Sequence, residues 1–300
     1  MKIGLWWVCL GAIGWGTAGL AAKFLVLNHD MTPLEIGAWR LVIGAPLLLA
    51  AAAWESRGHV FISPGMRGIG WILLFGLALA GYQVAYFSAV DRTLVSTATL
   101  LTVCTAPLLV AAFSAWKLRE PLGSKTMLAL GLGMAGVTLV IGIGGLIAIA
   151  DSRFWMGNLL ALGAAVCYGG YTLVGKHLVR WIPPFRTVAA AFVVGAVILL
   201  PFIGWPPSSW VAWGLLLYLG VVPTALAYLL YMTGLKRTSA TRASIAALLE
   251  PLTASLLAVW LLGERLPPAG WLGAFLLLSS LMVMVLPERK QNSTPPDTIV

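Results

Sequence analysis

The sequence reads LYMTGLKRT from Leu230 to Thr238, LEPLT from Leu249 to Thr253 and WLLGERL from Trp260 to Leu266. Three related motifs occur earlier in the same order: AYFSAVDRT (85–93), TAPLL (105–109) and WKLREPL (116–122). Tyr231 follows Tyr86 by 145 residues and Pro251 follows Pro107 by 144, so the spacing is kept to within one residue. The chain therefore contains two copies of one unit.

Further pairs extend the match to both units. These pairs are Gly16 and Gly169, Lys23 and Lys176, Pro33 and Pro184, Gly44 and Gly195, Arg92 and Arg237, Thr99 and Ser244, Trp116 and Trp260, and Glu120 and Glu264. We therefore predict a first repeat over residues 1–148 and a second over 149–287. Residues 288–300 are polar and contain proline, which predicts a disordered tail.

The composition excludes an ordinary soluble domain. Sixty per cent of the residues are hydrophobic and only 10% are charged, against about 25% charged in soluble proteins. A helix needs about 20 apolar residues to cross a bilayer. Windows of this kind fall at 3–27, 33–54, 67–90, 93–116, 123–148, 154–178, 184–203, 209–234, 238–262 and 268–286.

Ten windows divide into five per repeat, and this odd number decides the architecture. A unit of five helices ends on the opposite side of the membrane from where it began, so its copy is inserted upside down. The sequence thus predicts an all-α polytopic membrane protein whose ten transmembrane helices form two inverted five-helix repeats. Inverted repeats are typical of alternating-access carriers.

The basic residues predict the orientation. When the N-terminus is placed in the cytoplasm, four basic residues fall outside: Lys23, Arg92, Arg153 and Arg265. Fourteen fall inside: Lys2, Arg57, Arg67, Lys117, Arg119, Lys125, Lys176, Arg180, Arg186, Lys236, Arg237, Arg242, Arg289 and Lys290. Cytoplasmic loops are enriched in Lys and Arg, so both termini are predicted cytoplasmic and the net charge of +9 does not indicate nucleic acid. The first apolar stretch is expected to remain as a span rather than to be cleaved.

Pro107 and Pro251 lie near the middle of the fourth and ninth windows. Proline removes a helical hydrogen bond and kinks the helix. Interrupted helices at corresponding places in two halves indicate the central site of a transporter, so both prolines are candidate hinges. The alternative is a kink required only for packing.

Two charged residues fall within predicted spans and away from the span ends. Glu250 lies deep in the ninth window and Arg40 lies in the second. Charges at such depth usually face a cavity or a partner. Glu250 is therefore a candidate proton-coupling group or ligand contact, and Arg40 a candidate cavity cation. The alternatives are a glutamic acid kept protonated or bound to helix backbone, and an arginine that extends toward the interface.

Aromatic and hydroxyl groups cluster at related depths in the glycine-rich windows. Tyr82 and Tyr86 are four residues apart and share one helix face. Aromatic belts at the membrane surface account for many such residues in membrane proteins. A cavity lining of mixed apolar and hydrogen-bonding groups is the other interpretation, and it would suit an amphipathic organic solute.

Motifs for enzymes and cofactors are absent from the sequence. It contains no Walker loop, dinucleotide fingerprint or HExxH, and the three histidines lie near span ends. We therefore expect no enzymatic activity, no cofactor and no metal site.

The run LLEPLTASLLAVWLLGERL (248–266), its weaker copy TAPLLVAAFSAWKLREPL (105–122) and the ten-helix duplication resemble the EamA-type branch of the drug/metabolite transporter superfamily. Within it, the chain looks most like YddG-type exporters of aromatic and other neutral amino acids. The resemblance implies a central cavity lined by helices one, three, four, six, eight and nine, with helices five and ten packed outside. Carried onto this sequence, it nominates a substrate site of Trp15, Tyr82, Tyr86, Tyr168, Tyr171, Tyr228 and Ser244, with Glu250 as a further candidate.

The resulting functional hypothesis is a multi-pass carrier in the inner membrane that exports small amphipathic metabolites, foremost aromatic or neutral amino acids. Its expected partners are the small-molecule substrate and the lipid bilayer, and no oligomer is required. The alternatives are a drug or other metabolite exporter of the same fold, and a membrane-embedded enzyme.

Overall fold

A computed structural model describes residues 2–56, 65–120, 122–147, 149–205 and 207–286. The proposed tail at 288–300 and Arg57 lie outside these ranges. Every regular element in the described residues is helical, and ten helices are long and apolar enough to cross a membrane, as predicted. Numbered in chain order as spans 1 to 10, they are Ile3–His29, Pro33–Glu55, Gly65–Val90, Val95–Lys117, Ser124–Ile141, Ser152–Leu178, Pro184–Phe202, Trp210–Arg237, Ala240–Leu262 and Pro268–Val285.

Span 5 ends earlier than the window at 123–148 predicted. Its helix stops at Ile141 because Gly142 adopts a φ of 104°, which a residue with a side chain rarely takes. A separate short helix follows at Gly144–Ile147 and packs against span 4. The hydroxyl of Thr97 on span 4 donates to the carbonyl of Gly145 at 2.9 Å. The fifth window therefore contains span 5 and a separate short helix that packs against span 4.

Three spans are interrupted near their middles. Span 1 consists of helices Lys2–Gly16 and Ala18–His29, and span 9 of Ala240–Ala246 and Leu249–Leu262. Span 8 changes from an α-helix at Trp210–Gly220 to a π-helical turn at Val221–Leu226 and back at Ala227–Arg237. The break in span 9 lies just before Pro251, whose missing N–H favours an interruption there. Span 4, in contrast, is continuous through Pro107.

The packing of the spans is symmetric when the two repeats are exchanged. Span 3 packs on span 6 as span 8 packs on span 1, and span 4 packs on span 6 as span 9 packs on span 1. Spans 2 and 7 pack on each other, and so do spans 5 and 10. This pattern defines a pseudo-two-fold axis between the halves. Because each half has five spans, corresponding spans run in opposite directions across the membrane.

Spans 5 and 10 meet through glycines. A Cβ at Gly136 would lie 2.8 Å from the carbonyl oxygen of Gly273, and a Cβ at Gly273 would lie 2.6 Å from that of Gly136. Both distances are shorter than real Cβ contacts, so only glycine permits this approach of two backbones.

The start of span 1 and the end of span 10 lie on one side of the molecule, here called the terminal face. The other side, which carries the turns between spans 1 and 2, 3 and 4, and 9 and 10, is called the open face.

Candidate functional site

A cavity of about 740 Å³ enters the molecule from the open face. Its mouth includes the end of span 1, the start of span 4, the end of span 5 and the turn between spans 9 and 10. Its charged, polar and aromatic lining residues include Trp15, Lys23, Arg40, Tyr82, Gln83, Tyr86, Ser96, Thr99, Tyr171, Thr224, Tyr228, Glu250, Ser255, Glu264 and Arg265. Spans 2 and 5 also line it, through Arg40, Leu41, Val140 and Ile141, which corrects the expected set of lining helices.

Arg40 is held by the π-helical turn of span 8. Its Nε donates to the hydroxyl of Thr224 at 3.1 Å, and its Nη2 lies 3.5 Å from the carbonyl oxygen of Pro223. Pro223 has no N–H and its ring crowds the preceding turn, which favours the wider π-helical turn. Thr224 is not among the site residues predicted from the sequence. Pro223, which lies next to it in the middle of span 8, could have indicated this position.

Glu250 lies in the first turn of the second half-helix of span 9. The positive end of the helix dipole stabilises a carboxylate at this position. Among the described residues, no side chain forms a hydrogen bond with this carboxyl group, and it does not form an ion pair with Arg40. The cavity wall therefore holds a carboxyl group and a guanidinium group that are not paired with each other.

The deep part of the cavity is aromatic. The ring of Trp15 lies 4.9 Å from that of Tyr228 and 4.8 Å from that of Tyr231. Tyr82 and Tyr86 are stacked at 5.8 Å on one face of span 3, as their spacing predicted, and Tyr82 meets Tyr171 edge-on at 6.1 Å. The hydroxyl of Tyr86 is within 2.8 Å of that of Thr99. These rings form a floor and one wall with hydroxyl groups at their edges.

Two proposed substrate-site residues and one proposed hinge lie outside this lining. Tyr168 stands behind Tyr82, with ring centres 5.7 Å apart, and supports it. Ser244 is buried, and its hydroxyl donates to the carbonyl of Thr241 in its own helix at 2.9 Å. Pro107 is buried in span 4, whereas Pro251 lines the cavity.

The terminal face is closed by two charged side chains at the turn between spans 8 and 9. The ammonium group of Lys176 donates to the carbonyl of Leu235 at 2.8 Å and also to that of Thr238. The carboxylate of Glu120 accepts from the backbone N–H of Ala240 at 3.1 Å and from the hydroxyl of Thr241 at 3.3 Å. Lys176 thus binds the carbonyl groups at the end of span 8, and Glu120 binds the N–H groups at the start of span 9.

The open face has a different arrangement. Lys23 and Glu264 form a salt bridge of 2.9 Å at the mouth of the cavity, and their side chains are 53% and 51% exposed.

In the part of the chain that the structure describes, no group of His, Cys, Asp and Glu side chains is placed to hold a metal ion.

The sequence places the protein in a known family. Residues 2–142 and 155–286 match the model of the EamA-like transporter family, so the chain belongs to it and is a multi-pass membrane transporter. It is 33% identical over 293 residues to the uncharacterized transporter YwfM of Bacillus subtilis (strain 168), with 95% of each chain covered.

Two more distant relatives also span nearly the full length. The uncharacterized inner membrane transporter YicL of Salmonella typhimurium is 26% identical, over 95% of each chain. A probable terminal-alkyne amino-acid exporter of Streptantibioticus cattleyicolor is 24% identical, over 97% of each chain. A protein of known crystal structure superposes with a TM-score of 0.77 at 22% identity, covering 94% of this chain and 97% of that one, which shows the shared fold.

Proposed function

We propose that this transporter exports neutral amino acids, foremost aromatic ones, across the inner membrane by alternating access. The observation that carries the proposal is the separated charge pair in the cavity wall. Arg40 and Glu250 both face the 740 Å³ space without pairing with each other, and tyrosine and tryptophan rings form the rest of its deep surface.

A zwitterion with an apolar side chain complements this surface. An amino acid presents a carboxylate for Arg40 and an ammonium group for Glu250, so each buried charge gains a partner of opposite sign. The π-helical turn fixes the Arg40 side chain before the substrate arrives, because Thr224 and Pro223 already occupy one edge of its guanidinium. Less conformational entropy is then lost on binding.

The aromatic rings provide the place for the substrate side chain. Ligand pockets of about 300–1,000 Å³ lined mainly by apolar and aromatic groups are typical of small-molecule sites. Tyr82, Tyr86 and Tyr228 present both ring faces and hydroxyl groups, which suits phenylalanine, tyrosine or a branched aliphatic side chain. The resemblance to YddG-type exporters and the name of the Streptantibioticus relative support the same substrate class.

The direction of opening supports transport between two compartments. With the terminal face in the cytoplasm, as the basic residues predict, the cavity opens outward and Lys176 and Glu120 close the inner end. Alternating access then requires a second state in which the inner end opens and the mouth closes. The hairpins of spans 3 and 4 and of spans 8 and 9 are the elements that we propose to move.

The test is counterflow in proteoliposomes with one substrate skeleton in three charge states. Labelled phenylalanine inside should exchange with external phenylalanine saturably. Phenethylamine, which lacks the carboxylate, and hydrocinnamate, which lacks the ammonium group, should compete far more weakly. Equal competition by all three compounds would reject recognition of a zwitterion, and a linear, non-saturable flux would indicate a pore.

One observation favours a second candidate substrate. Glu250 is an acidic residue that lines the same cavity as several tyrosine rings, and aromatic faces attract organic cations. A lipophilic amine drug would then bind better than an amino acid. Phenethylamine competing more strongly than phenylalanine in the same assay would favour this drug exporter over the amino-acid exporter.

A further inference from the structure

We propose that Glu264 and Lys23 form the gate that closes the open face in the opposite state of the transport cycle. This inference rests on the alternating access proposed above. In that state, Glu264 leaves its salt bridge and caps the first turn of span 4, while Lys23 binds the carbonyls that end span 3.

The first step is the correspondence between the two ends of the molecule. Glu120, which caps span 9 at the closed terminal face, matches Glu264 of the other repeat. Lys176, which binds the end of span 8 at that face, matches Lys23. The repeats are inverted, so each residue of a pair lies at the opposite face from its counterpart.

The targets of the two side chains also correspond. At the offset of 145 residues, Ala240 and Thr241 match Val95 and Ser96, and Leu235 and Thr238 match Val90 and Thr93. Thr241 donates its hydroxyl to Glu120, and its counterpart Ser96 carries a hydroxyl as well. The turn from span 3 to span 4 therefore offers Glu264 and Lys23 the same groups that the turn from span 8 to span 9 offers Glu120 and Lys176.

In the present state the start of span 4 is open to the cavity. Span 4 begins after Leu94, which gives no side-chain cap, whereas Ser239 and Glu120 both cap the start of span 9. Val95 and Ser96 line the cavity mouth, across from Glu264. A carboxylate gains charge-assisted hydrogen bonds at such an uncapped helix start.

One contact of the two turns is the same in both halves. A Cβ at Gly4 would lie 2.7 Å from Cβ of Arg237, and a Cβ at the corresponding Gly157 would lie 2.7 Å from the backbone of Arg92. At each face, the hairpin turn therefore packs against a glycine of the other repeat. We expect this shared contact to persist in both states, and the contacts of Glu120 and Glu264, which differ between the halves, to change.

The test measures how often the cavity is open from outside. Cys9, Cys104 and Cys167 are replaced, and Ser255, which lines the cavity on span 9, is changed to cysteine. The rate of labelling by a membrane-impermeant maleimide is then followed on intact cells. Glu120→Gln weakens closure of the terminal face and should slow labelling by roughly tenfold, the lower end of what the loss of hydrogen bonds to a charged group gives. Adding Glu264→Gln weakens the opposing gate and should restore the rate.

The control is Glu35→Gln in the Glu120→Gln background. It removes the same charge at the open face but leaves an acceptor in the capping box of span 2, so labelling should stay slow. If Glu264→Gln also leaves labelling slow, Glu264 is only part of a surface salt bridge and the gate is refuted. Lys176→Met replaces Glu120→Gln if the latter does not give folded protein.

The outcomes separate the gate from the substrate proposal. Labelling needs no substrate, so failure of phenylalanine counterflow together with restored labelling would overturn only the amino-acid assignment. Normal counterflow together with labelling that is not restored would overturn only the gate.

Discussion

The guanidinium of Arg40 on span 2 is bound by the hydroxyl of Thr224 on span 8, with 3.1 Å between Nε and Oγ1. This bond joins a charge of the first repeat to the π-helical turn of the second. The turn exposes the Pro223 carbonyl to the same guanidinium, so a helix irregularity and a buried cation support each other. The arrangement keeps the cation directed into the cavity at a depth where an unpaired charge is costly.

Removal of either cavity charge should weaken substrate binding. We expect Arg40→Gln and Glu250→Gln each to raise the apparent binding constant for phenylalanine by about tenfold to a hundredfold, since hydrogen bonds to charged groups contribute about 1.5–3 kcal/mol. Competition in proteoliposome counterflow measures this change. Arg92→Gln serves as the control, because Arg92 is exposed on the turn between spans 3 and 4 and donates to its own helix. Normal competition in both cavity variants would remove the charge pair from the site.

The pH dependence of transport should depend on Glu250. A carboxylate can gain and lose a proton during the cycle, whereas the amide of Glu250→Gln cannot. We expect the wild-type rate of net efflux to vary between acidic and neutral pH and the rate of the Gln variant to be flat. Efflux measured in vesicles buffered at several pH values tests this expectation. An unchanged pH profile in the variant would show that Glu250 has no role in coupling to protons.

The stacked tyrosines of span 3 should contribute to affinity through their rings. Tyr82→Ala and Tyr86→Ala each remove a ring from the cavity wall, so weaker competition by phenylalanine is expected. Tyr86→Phe keeps the ring and loses only the 2.8 Å contact with Thr99, so it should bind nearly as the wild type does. Full affinity in both alanine variants would reject the proposed cavity assignment.

The glycine contact between spans 5 and 10 should be sensitive to a single methyl group. Gly273→Ala places a Cβ 2.6 Å from the Gly136 carbonyl oxygen, and overpacking of this kind costs about 1–3 kcal/mol. A lower midpoint of thermal unfolding in detergent is expected. Gly131→Ala on span 5 is the control, because its Cβ would meet nothing within 4 Å. Equal midpoints for the two variants would contradict the close packing.

The orientation of the protein remains a prediction from its basic residues. Cysteines introduced at Asn28 and at Lys236 should behave oppositely in cells, the first reacting with an impermeant reagent from outside and the second only after lysis. A reporter fused after Val300 should be active in the cytoplasm. Labelling of Lys236→Cys in intact cells would reverse the orientation and, with it, the direction in which the cavity opens.

Most of the membrane architecture could be predicted from the sequence. Apolar windows and repeated motifs gave the ten spans, because hydrocarbon thickness sets helix length and an odd repeat must invert. The break of span 9 before Pro251 was also predictable from the missing N–H. Pro107 shows the limit of that argument, because the helix around the corresponding proline of span 4 is continuous. A proline allows an interruption, and the surrounding packing decides whether it occurs.

The candidate site was less predictable than the fold. Arg40, Glu250 and most of the aromatic residues line one cavity, but an apolar span gives little sign of which face meets lipid and which meets a cavity. The contribution of span 5 was missed for this reason. Ser244 illustrates the same difficulty for hydroxyl groups, since a serine satisfied by its own helix looks the same in sequence as one that contacts a substrate.

The mutual approach of Gly136 and Gly273 has a consequence for motion. The two backbones approach closely there, near the axis that relates the two repeats, and only a few side chains such as Leu139 and Leu277 pack beside them. Such a seam can serve as a fulcrum for tilting, with small displacements at the seam and large ones at the hairpin tips.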